Sequence, residues 1–528
     1  LKPPGRAATD IWRNVVNAAP TTHSASLARA GTATPQIAIL GAGAAGLCMA
    51  IQLKKAGINS FTIYEKAGSV AGTWRDNTYP GSGCDVPSHL YSFSFEPKHD
   101  WSRKFARQPE IEAYFQHCAE KYGLLPHIHF NTEIAEAAFD EEEALWRIRM
   151  TDGEEVSAAL FISGAGQLNQ PFTPHLEGIE NFKGAAFHSA RWNHDIDLTG
   201  KKVAVVGSGA SAIQFVPEIA PKVEHLTLFQ RTPNWVVPKA DRPYTRLEKA
   251  LFKRFPALAK LHRYMIYLTL ERNFLAFLKH SFFGKLFEKA ARKEIESHIE
   301  DPKLREKLTP DFPAGCKRIL LSNDWFPAMA RPNVSVETAG IDHVEDGALI
   351  GKDGRAHAAN VIIYGTGFRA TDFLCPMEIK GLGGRSLNEA WREGAEAYRG
   401  VAVSGFPNFF MMYGPNTNLG HNSIIFMIEC QVNYIMQCVQ ALIGKDLAYV
   451  DVKPDAMSAF NTQLQEDIKK SVWASGCTSW YKTESGKITN NWSSFTMKYW
   501  WQMRRADLAH FVQAVKRRRK APTLQAAD

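Results

Sequence analysis

Ile37-Ala38-Ile39-Leu40-Gly41-Ala42-Gly43-Ala44-Ala45-Gly46 joins a short apolar, strand-like run to a glycine-rich turn, and Glu65 follows 24 residues after the first glycine. The pattern returns at Val203-Ala204-Val205-Val206-Gly207-Ser208-Gly209-Ala210-Ser211-Ala212, and there Arg231 stands 24 residues past the first glycine. In a strand–turn–helix unit the first two glycines let backbone N–H groups and a helix N-terminus approach a pyrophosphate, and the third position takes Gly or Ala. The expected cofactor-contacting set is therefore Gly41, Gly43 and Gly46 in the first turn. In the second it is Gly207, Ser208, Gly209, Ser211 and Ala212, with Gln214 in the helix that follows. The residue ending the second strand reads the adenosine ribose. A carboxylate there accepts hydrogen bonds from the ribose hydroxyls and repels a 2′-phosphate; an arginine does the reverse. Glu65 against Arg231, with Thr232 beside it, therefore predicts two different dinucleotides, the second one 2′-phosphorylated. FAD plus NADPH is the natural pair.

Further strand-like runs lie at Phe61 to Tyr64, Ile134 to Phe139, Leu145 to Met150, Leu160 to Ser163, Leu226 to Phe229, Asn333 to Val336 and Val361 to Tyr364. Residues 243–308 are helical and charged in pattern, and Val432 to Ile443 reads as a helix. The expected architecture is α/β, with two Rossmann-like dinucleotide-binding domains and a nested chain order. An N-terminal arm over 1–34 precedes the FAD-binding domain at 35–170. The NADP-binding domain, with its helical insertion, is inserted at 171–374. The chain returns to the FAD-binding domain over 375–528.

The 528 residues are 45% apolar and 22% charged, as in an ordinary globular chain. No apolar run approaches the roughly 18–20 residues of a membrane span. The most aromatic region, Leu251 to Phe287, is broken by lysines and arginines and looks like amphipathic helices. A net charge of +8 is modest for this length and suits anionic dinucleotides, and no nucleic-acid-binding motif is present. The basic run Lys516-Arg517-Arg518-Arg519-Lys520 reads as a solvated tail, with contact to anionic lipid as the alternative. The arm at 1–34 lacks a signal-peptide core. The eight cysteines are scattered and show no CxxC or metal spacing, which predicts free thiols, a reducing compartment and a cytoplasmic location. It also argues against a dithiol flavin reductase.

Other blocks carry a family resemblance. Phe182, Gly184, His188 and Trp192 fit the pattern FxGxxxHxxxW just ahead of the second glycine turn. Gly72-Thr73-Trp74, Tyr79-Pro80-Gly81 and Cys84-Asp85-Val86 form one further block, Gly414-Pro415-Asn416-Thr417 with Gly420-His421-Asn422-Ser423 another, and Ser479-Trp480-Tyr481 a third. From about residue 36 to about 500 the chain resembles the type I Baeyer–Villiger monooxygenases, a branch of the class B flavoprotein monooxygenases. Departures are Ser189 and Asn193 in the signature, Ala71 for a usual glycine, Gly365 for a usual alanine, and Gly83 where many members have arginine.

The resemblance implies a flavin that NADPH reduces and that carries dioxygen to a ketone as a C4a-peroxide, giving an ester or lactone, with sulfides as further substrates. A nucleophilic peroxide needs a nearby cation that does not give up its proton, which arginine provides. By resemblance Arg318, in Gly315-Cys316-Lys317-Arg318, is the catalytic cation and Asp85 the carboxylate that orients it. Thr73, Trp74, Tyr91 and Asp85 are implied on the flavin side, and Lys317 and Trp480 on the NADPH side. His188 is expected at a mobile hinge between the domains, and His421 in a pocket wall or a structural contact. An N- or S-oxygenating flavin monooxygenase, which needs no such arginine, is the alternative. The partners expected are a small ketone or sulfide and dioxygen, with the chain a monomer or homo-oligomer.

Overall fold

The computed structural model describes residues 34–516 except 478, so residues 1–33 of the N-terminal arm and 517–520 of the basic run lie outside the described residues. Two parallel five-stranded sheets organise the rest. The first has the order Phe409–Met411, Leu160–Ser163, Ile37–Leu40, Phe61–Tyr64, Ile128–His129. The second has the order Val334–Glu337, His225–Phe229, Lys202–Val206, Val361–Tyr364, Ala185–His188. Each glycine turn leaves an inner strand of its own sheet and opens a helix, α1 (Ala44–Lys55) in the first and α2 (Ala212–Ile219) in the second. Ile37, Ala38 and Ile39 are all buried, as are Val203, Ala204 and Val205, as befits strands covered on both faces.

Chain order is nested. The first sheet takes strands from residues 37–163 and again from 409–411, and all five strands of the second sheet fall between 185 and 364. A mixed four-stranded sheet has the order Glu378–Lys380, Ile134–Asp140, Leu145–Met150, Glu155–Ala158, its first pair parallel and the other two antiparallel. The 243–308 region is helical as expected: α3 (Arg246–Arg254), α4 (Pro256–Arg272), a 3₁₀ turn Asn273–Phe277, α5 (Phe282–His298) and α6 (Pro302–Leu308). α3 begins with a capping box in which Thr245 and Glu248 satisfy each other's backbone N–H groups.

Two expectations need correction, the bounds of one helix and the state of two cysteines. The helix read over 432–443 runs from Ile424 to Gly444 as α7, and it is buried on nearly all sides. It opens with the unbroken apolar run 424–428, which has no amphipathic period to mark its start. The segment around His188 contains the edge strand Ala185–His188, paired in register with Val361–Tyr364, and the His188 Nδ1 accepts the Ala190 N–H at 3.0 Å. Finally, Cys316 and Cys477 form a disulfide across 161 residues, with Cα atoms 6.4 Å apart. Six described cysteines are free rather than eight. Spacing along the chain carries no sign of a pair so far apart.

Candidate active site

The first glycine turn is shaped partly by the fold and partly for something else. Gly41 has φ +90, and a Cβ on Gly46 would lie 1.9 Å from the Gly41 carbonyl oxygen, so both are required by the backbone. Gly43 differs. Its backbone is extended, and an added Cβ would meet nothing closer than Gly72 Cα at 3.9 Å. Gly209 in the second turn is alike, with its nearest contact 3.6 Å away, although Gly207 is needed at φ +99. Neither strain nor packing explains glycine at 43 and 209; open room above a helix N-terminus does. Neither α1 nor α2 has a side-chain cap or an acidic residue in its first turn. Both N-termini thus offer backbone donors to an anion, and the residues fit a pyrophosphate at each turn.

Glu65 is buried at the end of its strand. Its Oε2 accepts the Ala42 N–H at 2.8 Å, and its Oε1 accepts the Ala67 N–H and Arg75 Nη1, each at 3.0 Å. A carboxylate offers about four acceptor positions, so one on Oε2 is left for a ribose hydroxyl. Arg75 also pairs with Asp76 at 2.8 Å, so two carboxylates face one guanidinium and the local charge stays negative. Thr73 opens the one-turn helix Thr73–Asp76, which lies over the glycine turn: Ala71 donates its N–H to Ala42 O at 3.1 Å. Ala71 holds φ +78, a conformation that favours the glycine usual there. Trp74 Nε1 donates to Tyr91 Oη at 3.1 Å, with the rings edge to face.

At the second turn Arg231 is exposed. Lys317 Nζ donates to Thr232 Oγ1 at 2.6 Å, which brings the expected phosphate-reading residues together. Burial, and then the Arg231 charge, hold the Lys317 ammonium below the usual lysine pKa. Ser208 is buried, with its hydroxyl 3.5 Å from the Thr232 carbonyl and 3.4 Å from Asn234 Nδ2. Ser211 stands at the N-cap of α2. Gln214, expected as a cofactor contact, is instead taken up by the protein. Its Nε2 donates to Gly83 O at 3.0 Å and its Oε1 accepts from Tyr79 Oη at 3.0 Å and from the Gly83 N–H at 3.3 Å. With no side chain at 83, the amide closes on the loop backbone and ties α2 to the segment leading to Asp85.

Asp85 and Arg318 come together although 233 residues separate them: Oδ2 to Nη2 is 3.5 Å. Burial is the largest single influence and opposes the Arg318 charge, but Asp85, with Tyr481, Tyr413 and Cys84 added to it, outweighs burial and raises the guanidinium above its ordinary pKa. Arg318 keeps 36% of its side chain open to solvent, against 12% for Asp85. Burial pushes the nearby Tyr481 phenol up to about 12, so it stays protonated at neutral pH. Lys239 is a residue that sequence reasoning missed. Its Nζ lies 3.2 Å from Asp85 Oδ1 and donates to Cys84 O at 2.9 Å, so Asp85 is held between two cations. The short parallel ladder Val236–Val237 with Leu320–Leu321 carries Lys239 just beyond one strand and Arg318 just before the other. Nothing in Pro238-Lys239-Ala240-Asp241 marks this role in sequence; the same holds for Arg75.

Trp480 is partly exposed and tilted against Tyr481, with ring centres 4.5 Å apart, and the disulfide ties its loop to the Arg318 segment. His421 is buried with Nε2 3.7 Å from Glu271 Oε2, a structural contact with α4.

Two nucleotide turns on separate parallel sheets, joined by a buried carboxylate and an arginine, define a two-dinucleotide flavoprotein oxygenase. Residues 34–374 match the family described as "FMO-like: Flavin-binding monooxygenase-like". A "Baeyer-Villiger monooxygenase" of Streptomyces coelicolor is 45% identical over 479 residues, covering 90% of this chain and 92% of that protein. A protein of the same name from Pseudomonas aeruginosa is 45% identical over 485 residues, with 90% and 92% covered. The chain therefore belongs to the flavin-binding monooxygenase-like family and, within it, to the Baeyer–Villiger monooxygenases. Similar solved structures include an oxidized steroid monooxygenase bound to NADP, with a TM-score of 0.82 and 28% identity over 92% of this chain and 100% of that one. Cyclohexanone monooxygenase from Rhodococcus sp. Phi1 bound to NADP+ gives 0.81 and 26%, again over 92% and 100%. The OTEMO complex with FAD and NADP gives 0.82 and 27% over 91% and 100%.

Proposed function

We propose that the chain uses NADPH and dioxygen to insert one oxygen atom beside a ketone carbonyl, giving an ester or lactone, with FAD at the first glycine turn and NADPH at the second. The observation that carries this reading is the Asp85–Arg318 pair, a fixed guanidinium between the two nucleotide turns. Bound flavin, once reduced, supplies the activated dioxygen. The chain's own residues do the rest. Arg318 holds a positive charge without offering a transferable proton, so it stabilises a developing oxyanion and does not protonate it away. Asp85, gripped by Lys239, fixes the direction of that guanidinium. Glu65 accepts from the flavin-side ribose. Arg231 and Lys317 bind the 2′-phosphate, while Trp480 covers the nicotinamide side and keeps water out.

The same reading assigns the flavin domain to 35–170 and 375–528 and the NADP domain to 171–374. An oxygenase restricted to nitrogen or sulfur has no need of a fixed arginine, and the similarity to Baeyer–Villiger monooxygenases favours ketone oxidation. The test is NADPH consumption with a panel of ketones. Faster consumption with one ester formed per NADPH supports the proposal. Consumption indifferent to every ketone, with all oxygen released as hydrogen peroxide, overturns it.

A further inference from the structure

Ten of the sixteen large apolar side chains left exposed among the described residues fall within residues 247–286. On α4 they form a pattern: Leu258, Leu261, Met265 and Leu268 lie at i, i+3, i+7 and i+10. At 3.6 residues per turn these four share an arc of about 80°. The opposite face of α4 is fastened to the protein. Arg263 Nη1 donates to the carbonyls of His89 and Ser92 at 2.6 and 3.0 Å. Glu271 accepts from Asn422, Thr496 and the Met497 N–H at 2.9, 2.6 and 2.9 Å. The helix is thus held rigidly by one side and presents a leucine and methionine stripe on the other. Beyond the 3₁₀ turn, α5 opens with Phe282, 75% exposed, and Leu286, 52% exposed.

The charge around this surface is one-sided. Residues 246–289 hold ten lysines and arginines against three glutamates. All three glutamates are engaged with the protein itself: Glu248 with Arg242 and the Thr245 cap, Glu271 as above, and Glu288 accepting the Ala314 N–H at 2.9 Å. Lys253, Arg254, Arg272, Lys279 and Lys285 are exposed and make no ion pair among the described residues. An apolar stripe bordered by unpaired cations is the composition of a helix lying in the surface of an anionic bilayer. No described helix is long and apolar enough to cross a membrane, so such a contact lies on the surface.

We propose that this face, α4 with the preceding α3 and the start of α5, docks on an anionic lipid surface. The charge selects this occupant over a second copy of the chain. Two such faces brought together would set like charges against each other, whereas anionic headgroups neutralise them while the acyl region takes up the leucines. Docked in this way, the outer stripe lies one helix diameter, roughly 10 Å, from the inner face that grips Asn422 and Thr496.

The FAD-loaded full chain should sediment with vesicles of phosphatidylcholine and phosphatidylglycerol, stay in solution with phosphatidylcholine alone, and be released by high salt. Leu261→Ser with Met265→Ser should weaken partitioning roughly tenfold, and Lys279→Glu with Lys285→Glu should do the same. Both double variants should keep the native NADPH oxidation rate and melting temperature, which excludes unfolding as the cause. Neutralising 517–520 should leave vesicle binding unchanged. Absence of binding to anionic vesicles overturns the proposal, as does binding that survives both double variants. Light scattering that shows a dimer, dissociated by Leu261→Ser with Met265→Ser, would assign the stripe to a second copy instead.

Discussion

The two glycine turns share their spacing and differ in how their reading residues are held. At the first, Glu65 is buried, accepts three hydrogen bonds from its own chain, and sits under a loop whose Ala71 and Trp74 are themselves bonded in place. At the second, Arg231 is exposed, and Lys317 makes a single hydrogen bond to Thr232. A closed edge with a single acceptor position left for the ribose suits a cofactor that stays; an open, cationic one suits a co-substrate that arrives, is used and leaves. Lys317 and Arg318 stand at the boundary. They are neighbours in sequence, but one reaches Thr232 at the open edge and the other Asp85.

The largest effect should come from Arg318→Ala. Loss of one preorganised donor to a developing oxyanion lowers turnover roughly 10²–10³-fold. Ester formation should fall by that factor, and flavin reduction by NADPH, followed by rapid mixing, should stay near native. Unchanged ester yield would falsify the catalytic assignment. Next, Glu65→Gln leaves Arg75 facing a neutral amide and weakens the ribose contact by about 1–3 kcal/mol. The protein should purify with depleted flavin; full flavin content would show that the closed edge does not depend on this carboxylate.

Arg231→Ala should raise the KM for NADPH by roughly tenfold or more and leave that for NADH nearly unchanged. Equal losses with both nucleotides would mean that Arg231 does not read the 2′-phosphate. Lys239→Met removes one of the two cations on Asp85. A several-fold fall in ester formed per NADPH, with more hydrogen peroxide, is expected, and Lys239→Arg should restore part of it. A coupling ratio that does not move would reduce Lys239 to a surface contact.

The smallest effect is a pH dependence. The Lys317 pKa is lowered in the free protein, so its charge is present at low pH and is lost as pH rises through that lowered value. Phosphate binding favours the charged form, so the KM for NADPH should climb at alkaline pH. Lys317→Met should flatten that climb at a uniformly weaker affinity, and a climb of native steepness in the variant would place the titrating group elsewhere.

Local pattern made the two nucleotide units legible. Strand, turn and helix lie within about thirty residues, and the ribose reader falls at a set distance because the second strand must end beside the first. The resemblance brought Asp85 and Arg318 onto the page. Pattern failed where the signal was not local. α7 opens on the unbroken apolar run 424–428, which shows no helical period, and it is buried on nearly all sides. Cys316 and Cys477 pair across 161 residues. Gln214 looked available in its helix and is taken by a loop more than 130 residues earlier. Lys239 and Arg75 look like any surface cation until Asp85 and Glu65 are placed against them.

By itself, then, the sequence determined that there are two nucleotide edges and what sign of charge each carries, because a glycine turn and the strand after it are read within one short stretch of backbone. Tertiary structure alone decided which edge is sealed and which is open, that two cations rather than one grip Asp85, and that the stripe on α4 faces outward. Those properties depend on which distant groups fill each donor, acceptor and apolar face, and that pairing exists only once the two sheets and the helical insertion have packed together.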